Sequence, residues 1–173
     1  MPININGTTG ISGVDGSAGT PGIQGSDTNT GIFFPAADTI AFSEGGIEVM
    51  RLDSSANLQF NSGYGSVATA YGCRAWVNFN GTGTVAIRAA GNVSSITDNG
   101  TGDYTVNFMT AMVDANYCAT LATGYGNSSS IPEASRQFVV GSWTTSSIRM
   151  RVGYSYTVPA TQDASEVNVA IFR

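Results

Sequence analysis

Residues 73–108 read CRAWVNFNGTGTVAIRAAGNVSSITDNGTGDYTVNF, and apolar side chains take every second position in much of this stretch. The alternation is clearest over residues 75–79 and 104–108, and the polar run 98–103 between them is typical of a turn. A period of two is the pattern of a β-strand that buries one face. Similar runs continue towards the C-terminus, so we predict an all-β fold with roughly seven or eight strands in a β-sandwich over residues 73–173.

Residues 28–72 form a second zone with shorter strands. The predicted strands are residues 31–34, 39–42, 47–52 and 58–60, and proline, glycine or aspartate-rich turns separate them. Strands this short cannot bury an apolar face within one chain. We therefore expect three chains to wrap together here as an intertwined β shaft with a shared core.

Glycine takes every third position at the start of the chain: Gly7, Gly10, Gly13, Gly16, Gly19, Gly22 and Gly25. A triple helix requires this period, because only a hydrogen atom fits where three polyproline-II-like chains crowd one axis. We therefore predict that residues 1–27 hold an attachment segment and a short collagen-like triple helix, and that the partners are two further copies of the chain. The alternative is a flexible linker, which would also be glycine-rich but has no reason to keep phase.

Composition argues against several classes of function. The chain has no histidine, and its net charge is −5, although residues 61–173 carry equal numbers of acidic residues and arginines. Without histidine the commonest general base and metal ligand is missing, so we expect no enzymatic activity, no metal and no cofactor. There is no basic stripe for nucleic acid and no apolar run of about 18 residues for membrane insertion. Asp98 and Asp103 could be a hydrolytic pair or part of a calcium loop, but we interpret them as turn residues.

Three further side chains have alternative interpretations. Cys73 and Cys118 are the only cysteines, and we expect reduced, buried residues rather than a disulfide. Trp76 lies out of phase with its apolar neighbours Val77 and Phe79. It is therefore either a core residue of a second sheet or a contact between subunits, and we favour the contact.

Two stretches resemble proteins of bacteriophage tails. Residues 25–60, GSDTNTGIFFPAADTIAFSEGGIEVMRLDSSANLQF, resemble repeats of tail-fibre shafts. Residues 73–117 and the closing VNVAIFR resemble the C-terminal domain of many phage tail-fibre and tail-tip proteins. The resemblance implies a homotrimeric virion fibre whose distal domain contacts the host surface. It also implies that the N-terminus docks onto other virion tail or baseplate proteins, and that the protein is located in the virion after synthesis in the host cytoplasm.

We expect the distal domain to bind a bacterial surface glycan, such as envelope polysaccharide, through its long polar loops. Tyr125 and Asn127 lie in the loop 124–132, and Gln162 lies in the loop 156–165. A tyrosine ring could stack on a sugar while amides bind its hydroxyls, although Tyr125 could equally anchor its own loop. The alternative function is a structural virion appendage, a capsid fibre or tail connector, that binds only other virion proteins. A small depolymerase is a third hypothesis.

Overall fold

The computed structural model of the chain describes residues 4–7, 10–124, 136–154 and 160–173. They form antiparallel β-sheets with no helix among them, which confirms the predicted all-β class. The chain divides into two compact units, Met1–Ala70 and Tyr71–Arg173. Each unit is described below by itself.

The first unit contains a small hairpin and a larger sheet. Strands β1 and β2 pair as the hairpin, and β3 to β8 follow one another across a six-stranded sheet in sequence order. Both edges of that sheet are strands of only two residues, β3 and β8. The strands are Asn4–Asn6 (β1), Gly10–Ser12 (β2), Ile23–Gln24 (β3), Gly31–Phe33 (β4), Ile40–Glu44 (β5), Ile47–Leu52 (β6), Leu58–Phe60 (β7) and Ala68–Thr69 (β8).

The turns of this sheet follow from its sequence. Gly45 and Gly46 connect β5 to β6 with φ angles of 58° and 79°, which residues other than glycine rarely adopt. Asp53 closes the next turn, because its Oδ1 accepts hydrogen bonds from the backbone nitrogens of Ser55 and Asn57, both at 2.9 Å. Such local side-chain bonds are the reason that aspartate favours turns. The observed bounds of β6 and β7 confirm the strands 47–52 and 58–60 predicted from sequence.

The second unit contains two larger sheets, which we call the front sheet and the back sheet. The front sheet has the strand order β10–β9–β17–β13, and the back sheet has the order β11–β12–β15–β14 with β16 paired to β15. The strands are Cys73–Asn80 (β9), Ala86–Gly91 (β10), Val93–Gly100 (β11), Asp103–Phe108 (β12), Cys118–Gly124 (β13), Arg136–Trp143 (β14), Ser147–Tyr154 (β15), Ala160–Thr161 (β16) and Glu166–Phe172 (β17).

The inward-facing residues of both sheets contribute to one apolar core. Alternate residues of β9 and β17 in the front sheet meet alternate residues of β12 and β15 in the back sheet, as their period of two requires. Tyr104 lies fully buried in this core with its ring centroid 5.2 Å from that of Phe79. The members are Ala75, Val77, Phe79, Val93, Tyr104, Val106, Phe108, Met112, Tyr117, Ile148, Met150, Val152, Ala164, Val167, Val169 and Ile171.

One strand departs from the alternation that the sequence suggests. The pairing of β10 with β9 shifts between Ile87 and Ala89, so Arg88 is the extra residue of a β-bulge. The simple alternation placed Ala89 on the same face as Ile87. Beyond the bulge, however, it is Ala90 that pairs with the inward-facing Val77. Strict alternation therefore fails at this position, because a single extra residue reverses the faces of all that follow.

Candidate binding and assembly surfaces

The predicted receptor loop is only partly described. Tyr125 and Asn127 lie outside the described residues, so their role stays a prediction. Gln162 follows β16 directly, and its backbone nitrogen donates to the Val152 carbonyl at 2.9 Å. Its Oε1 is buried and has no hydrogen-bond partner among the described residues. The backbone of Gln162 thus fastens its segment to β15, and a receptor contact by its side chain stays a prediction as well.

The glycines of the triplet run differ in what their surroundings allow. Gly13 and Gly16 have φ angles of 108° and 73°, whereas polyproline II requires about −75°. A Cβ built at Gly16 would overlap the backbone nitrogen of Gly22. By contrast, a Cβ at Gly7, Gly19 or Gly25 would have no atom within 4 Å. The single chain therefore folds Gly16 and Gly22 tightly against each other, and the triple helix, which needs three chains, stays a prediction.

One face of the six-stranded sheet carries apolar side chains at its paired positions, except for Glu44, which pairs with Ile47 at the end of β5. Cross-strand partners share a face, and the register places two apolar rows side by side. One row crosses all six strands, and the second crosses β5, β6 and β7. The first row is Ile23, Ile32, Phe42, Met50, Phe60 and Ala68; the second is Ile40, Leu52 and Leu58. We call these nine residues the apolar face.

The apolar face is open to solvent, whereas the opposite face of the same sheet is partly covered. Ile23, Ile40, Leu52, Leu58 and Phe60 are each between 41% and 46% exposed. Phe34, directly after β4, joins Ile40 and Leu52 around a groove of about 570 Å³. On the opposite face Phe33, Ala41 and Ser43 are buried. A contiguous apolar surface of this kind marks an interaction site in a soluble protein.

A second candidate surface lies on the outer face of the front sheet, around Trp76. The side chain of Trp76 is 45% exposed, so its assignment to a second core is wrong, while a subunit contact stays a prediction. Its pairing partners on either side are small, Gly91 on β10 and Ala170 on β17. A Cβ built at Gly91 would overlap the indole nitrogen. The indole ring therefore lies across Gly91.

Polar groups are held beside the indole. Asn78, two residues along β9, donates from Nδ2 to Asn168 Oδ1 at 2.7 Å. Arg88 donates from Nη2 to the Ser165 carbonyl at 2.6 Å, and its Nη1 lies 3.5 Å from Asn78 Oδ1. The β-bulge aims Arg88 at these groups, which is a common use of bulges. Sequence reasoning missed this cluster because the bulge and the pairing of β9 with β17 leave no local signal.

The outer face of the back sheet is built around an ionised carboxylate. Arg149 donates from Nε and Nη2 to Asp103, both at 2.8 Å, and Arg151 donates from Nε at 2.9 Å. These bonds, chiefly those from Arg149, outweigh the desolvation of the carboxylate and lower the pKa of Asp103 to about 2. Asp98 at the start of the turn accepts a hydrogen bond from the Gly100 nitrogen at 2.9 Å. Asp98 thus holds the β11–β12 turn, as the sequence interpretation proposed, whereas Asp103 mainly ties β12 to β15 and receives one 3.3 Å bond from Asn99 Nδ2 in the turn.

The turn is also fastened to the core. The Tyr104 hydroxyl lies 2.8 Å from the Gly81 carbonyl and 2.8 Å from Asp163 Oδ1, so these two acceptors share its single proton. Asp163 Oδ1 also accepts from the Gly102 nitrogen at 2.7 Å. Burial, together with the bond to Asp163, raises the pKa of the Tyr104 hydroxyl above its ordinary value. The phenol therefore stays protonated and serves as a structural donor.

The two cysteines are free, but they are exposed rather than buried as expected. Their positions explain the error. Cys73 and Cys118 pair with Phe172 from opposite sides, at the end of the front sheet where Phe172 is itself exposed. Cysteine is often buried as a small apolar residue. Cys118 is out of phase with the core-facing Ala119 and Leu121, whereas Cys73 is in phase with the buried Ala75 but lies at the very end of its strand.

Comparison of the chain with protein-family models, with curated proteins and with known structures finds no match in any of the three. Among the described residues, no three side chains of the His, Cys, Asp or Glu type are grouped closely enough to hold a metal ion. The part of the chain that the structure describes contains no helix long and apolar enough to cross a bilayer.

Proposed function

We propose that this chain is the subunit of a homotrimeric phage virion fibre that attaches to the host cell surface by binding envelope polysaccharide. The fibre combines a collagen-like N-terminal segment, a β shaft formed by the first unit and a β-sandwich tip formed by the second. The observation that carries the proposal is the apolar face, because a sheet that leaves two apolar rows open to water requires a covering partner.

Further copies of the same chain are the simplest cover for this face. Full burial of a leucine, isoleucine or phenylalanine side chain stabilises a protein by about 1.5–3 kcal/mol. Each exposed member of the apolar face has somewhat under half of that still to gain. Three such faces around one axis would form a shared core, and the threefold number agrees with the glycine period of residues 7–25.

The second unit suits a role at the tip. Its two sheets share one core, which supports the β-sandwich, and the outer faces carry amides, hydroxyls and a few paired charges. Equal numbers of acidic residues and arginines in residues 61–173 favour an uncharged ligand over a polyanion. Such surfaces suit hydroxyl-rich polymers, and the sequence resemblance to phage tail-tip domains points to the same partner.

The test measures assembly and adsorption of the full chain. Sedimentation of the purified protein should give the mass of three chains, and fluorescently labelled protein should bind cells of a susceptible strain and its purified envelope polysaccharide. A trimer that labels no strain of a broad bacterial panel but binds capsid or tail particles would replace host attachment with the structural alternative. Shortening of the polysaccharide during incubation would instead indicate a depolymerase.

A further inference from the structure

We propose that the outer face of the front sheet around Trp76 is the glycan-binding site, where the indole stacks on an uncharged sugar ring and Asn168, supported by Asn78, binds its hydroxyls. This inference rests on the proposed function, since it locates the site through which the fibre binds envelope polysaccharide. It differs from the loop 124–132 expected from sequence, because it uses residues of three paired strands, β10, β9 and β17.

The indole is held as a platform beside Gly91. Its atoms Nε1, Cδ1 and Cε2 lie close to where a Cβ of Gly91 would stand, Trp76 is nearly half exposed, and the neighbouring partner Ala170 is too small to cover it. On the β10 side the paired partner of Asn78 is the small Ala89, and the long side chain of Arg88 reaches to Asn78 and the Ser165 carbonyl. An aromatic side chain that is held flat and open offers a rigid apolar surface at low entropic cost. The weakly apolar face of a pyranose ring is a suitable partner for such a surface.

The hydrogen-bonding groups lie at a suitable distance from the platform. Residues two apart on a strand are about 6.6–6.8 Å apart on the same face, so Asn78 stands roughly one sugar ring away from Trp76. Its bond to Asn168 and its contact with Arg88 hold the amides in place. Asn168 uses its oxygen in this arrangement, and its amide nitrogen has no partner among the described residues. That N–H group is available to a sugar hydroxyl.

The chemistry of the surface favours a neutral sugar over the alternatives. A subunit interface would be expected to surround its tryptophan with further apolar side chains. Here the paired neighbours of Trp76 are glycine and alanine and the next positions carry amides, while the exposed Phe172 lies two residues beyond Ala170 on β17. The charged residues of this face are Arg74, two residues from Trp76, Glu166, two residues from Asn168, and Arg88, whose guanidinium is already bound to the Ser165 carbonyl. Polyanions would require several free cations.

The first experiment uses the two tryptophans of the chain as reporters. The Trp143→Phe variant of the full-length protein leaves Trp76 as the only indole, and it is titrated with envelope polysaccharide purified from a strain that the unmodified protein binds. We expect a saturable change in the intensity and wavelength of Trp76 emission. Binding of the polysaccharide without any change in that emission would overturn the proposed site.

The second experiment compares three variants by affinity for the same polysaccharide. Trp76→Ala should lower the affinity about tenfold or more, as is usual when a central aromatic contact is removed. Gly91→Ala keeps the tryptophan but pushes the indole off the sheet, so it should also weaken binding. Gly141→Ala is the matched control, because a Cβ there would meet its neighbours at ordinary distances of 3.9 Å or more. It should bind like the unmodified protein.

The outcomes separate the site from the function. If the unmodified protein binds no cells and no polysaccharide, the proposed function fails and the site fails with it. If the unmodified protein binds but Trp76→Ala binds equally well, only the site is overturned. If Trp76→Ala converts the trimer into single chains, Trp76 is a subunit contact and the site is again overturned.

Discussion

Replacing Leu52 and Leu58 with threonine tests whether the apolar face is the subunit interface. The two leucines are cross-strand partners on β6 and β7, and each is 44% exposed. Full burial of a leucine is worth about 1.5–3 kcal/mol, so complete covering of the exposed part would add about 0.7–1.3 kcal/mol for each side chain. A trimer contains six of these leucines, which together would contribute about 4–8 kcal/mol to its association.

Threonine retains one of the methyl groups and favours β-strands, so the substitution should remove most of this association energy while preserving the fold of the sheet. A loss of about 3–5 kcal/mol per trimer corresponds to a dissociation constant about 10²–10⁴ times larger. Because that constant for a trimer has the dimension of concentration squared, the total concentration at half-dissociation should rise about 10- to 100-fold.

Sedimentation equilibrium at a series of loading concentrations measures this shift directly, and circular dichroism on the same samples checks the fold. The control is Thr69→Ala, because Thr69 pairs with Gln59 on the opposite face of the sheet and should not affect assembly. The reasoning is refuted if the unmodified chain is a monomer at every concentration. A double variant that dissociates no more readily than the control would refute it equally.

Three further predictions concern individual residues. Gly16→Ala should increase cleavage of residues 7–27 by a broad-specificity protease, whereas Gly19→Ala should be neutral in the single-chain fold; equal sensitivity of both variants would indicate the triple helix. Tyr104→Phe removes the one donor shared by the Gly81 carbonyl and Asp163 and should lower the stability of the second unit by about 1–3 kcal/mol, measured as a lower melting temperature; an unchanged midpoint would contradict this role. The pKa of Asp103 is lowered in the fold to about 2 from an ordinary 3.8, so its ion pairs should stabilise the protein fully above pH 4 and progressively less as the pH falls towards 2. The free energy of unfolding of Asp103→Asn, measured by denaturant titration at a series of pH values, should lack the part of the decrease between pH 4 and pH 2 that is due to Asp103.

The strands and most turns of this chain could be predicted from local pattern. Alternation over residues 75–79 and 104–108 reflects the two faces of a strand, and the strands formed as expected. Glycine pairs and turn-closing aspartates, such as Asp53, act on neighbours within four residues. Information of this kind is contained in the sequence window itself.

The features that depend on register could not be predicted in the same way. Asp103 meets Arg151 because β12 and β15 pair in one particular alignment, although 48 residues separate them. Trp76 is exposed because the back sheet covers only the other face of the front sheet, and the sequence around Trp76 does not indicate which face is covered. The bulge at Arg88 could not be predicted either, because neither Arg88 nor its direct neighbours Ile87 and Ala89 are glycine or proline, which would mark an irregular strand.

The two short edge strands of the six-stranded sheet limit how far that sheet can extend by pairing edge to edge with other copies. A long exposed edge would let sheets join side by side without end, as happens in amyloid. Here both edges, β3 and β8, offer only two residues each, so lateral growth has little backbone to add to. Association through the apolar face instead stops once that face is covered, because each sheet has only one such face and further chains would find none exposed. The sheet therefore favours a particle of fixed size over an open polymer, which would keep a strongly apolar surface compatible with high concentrations during synthesis.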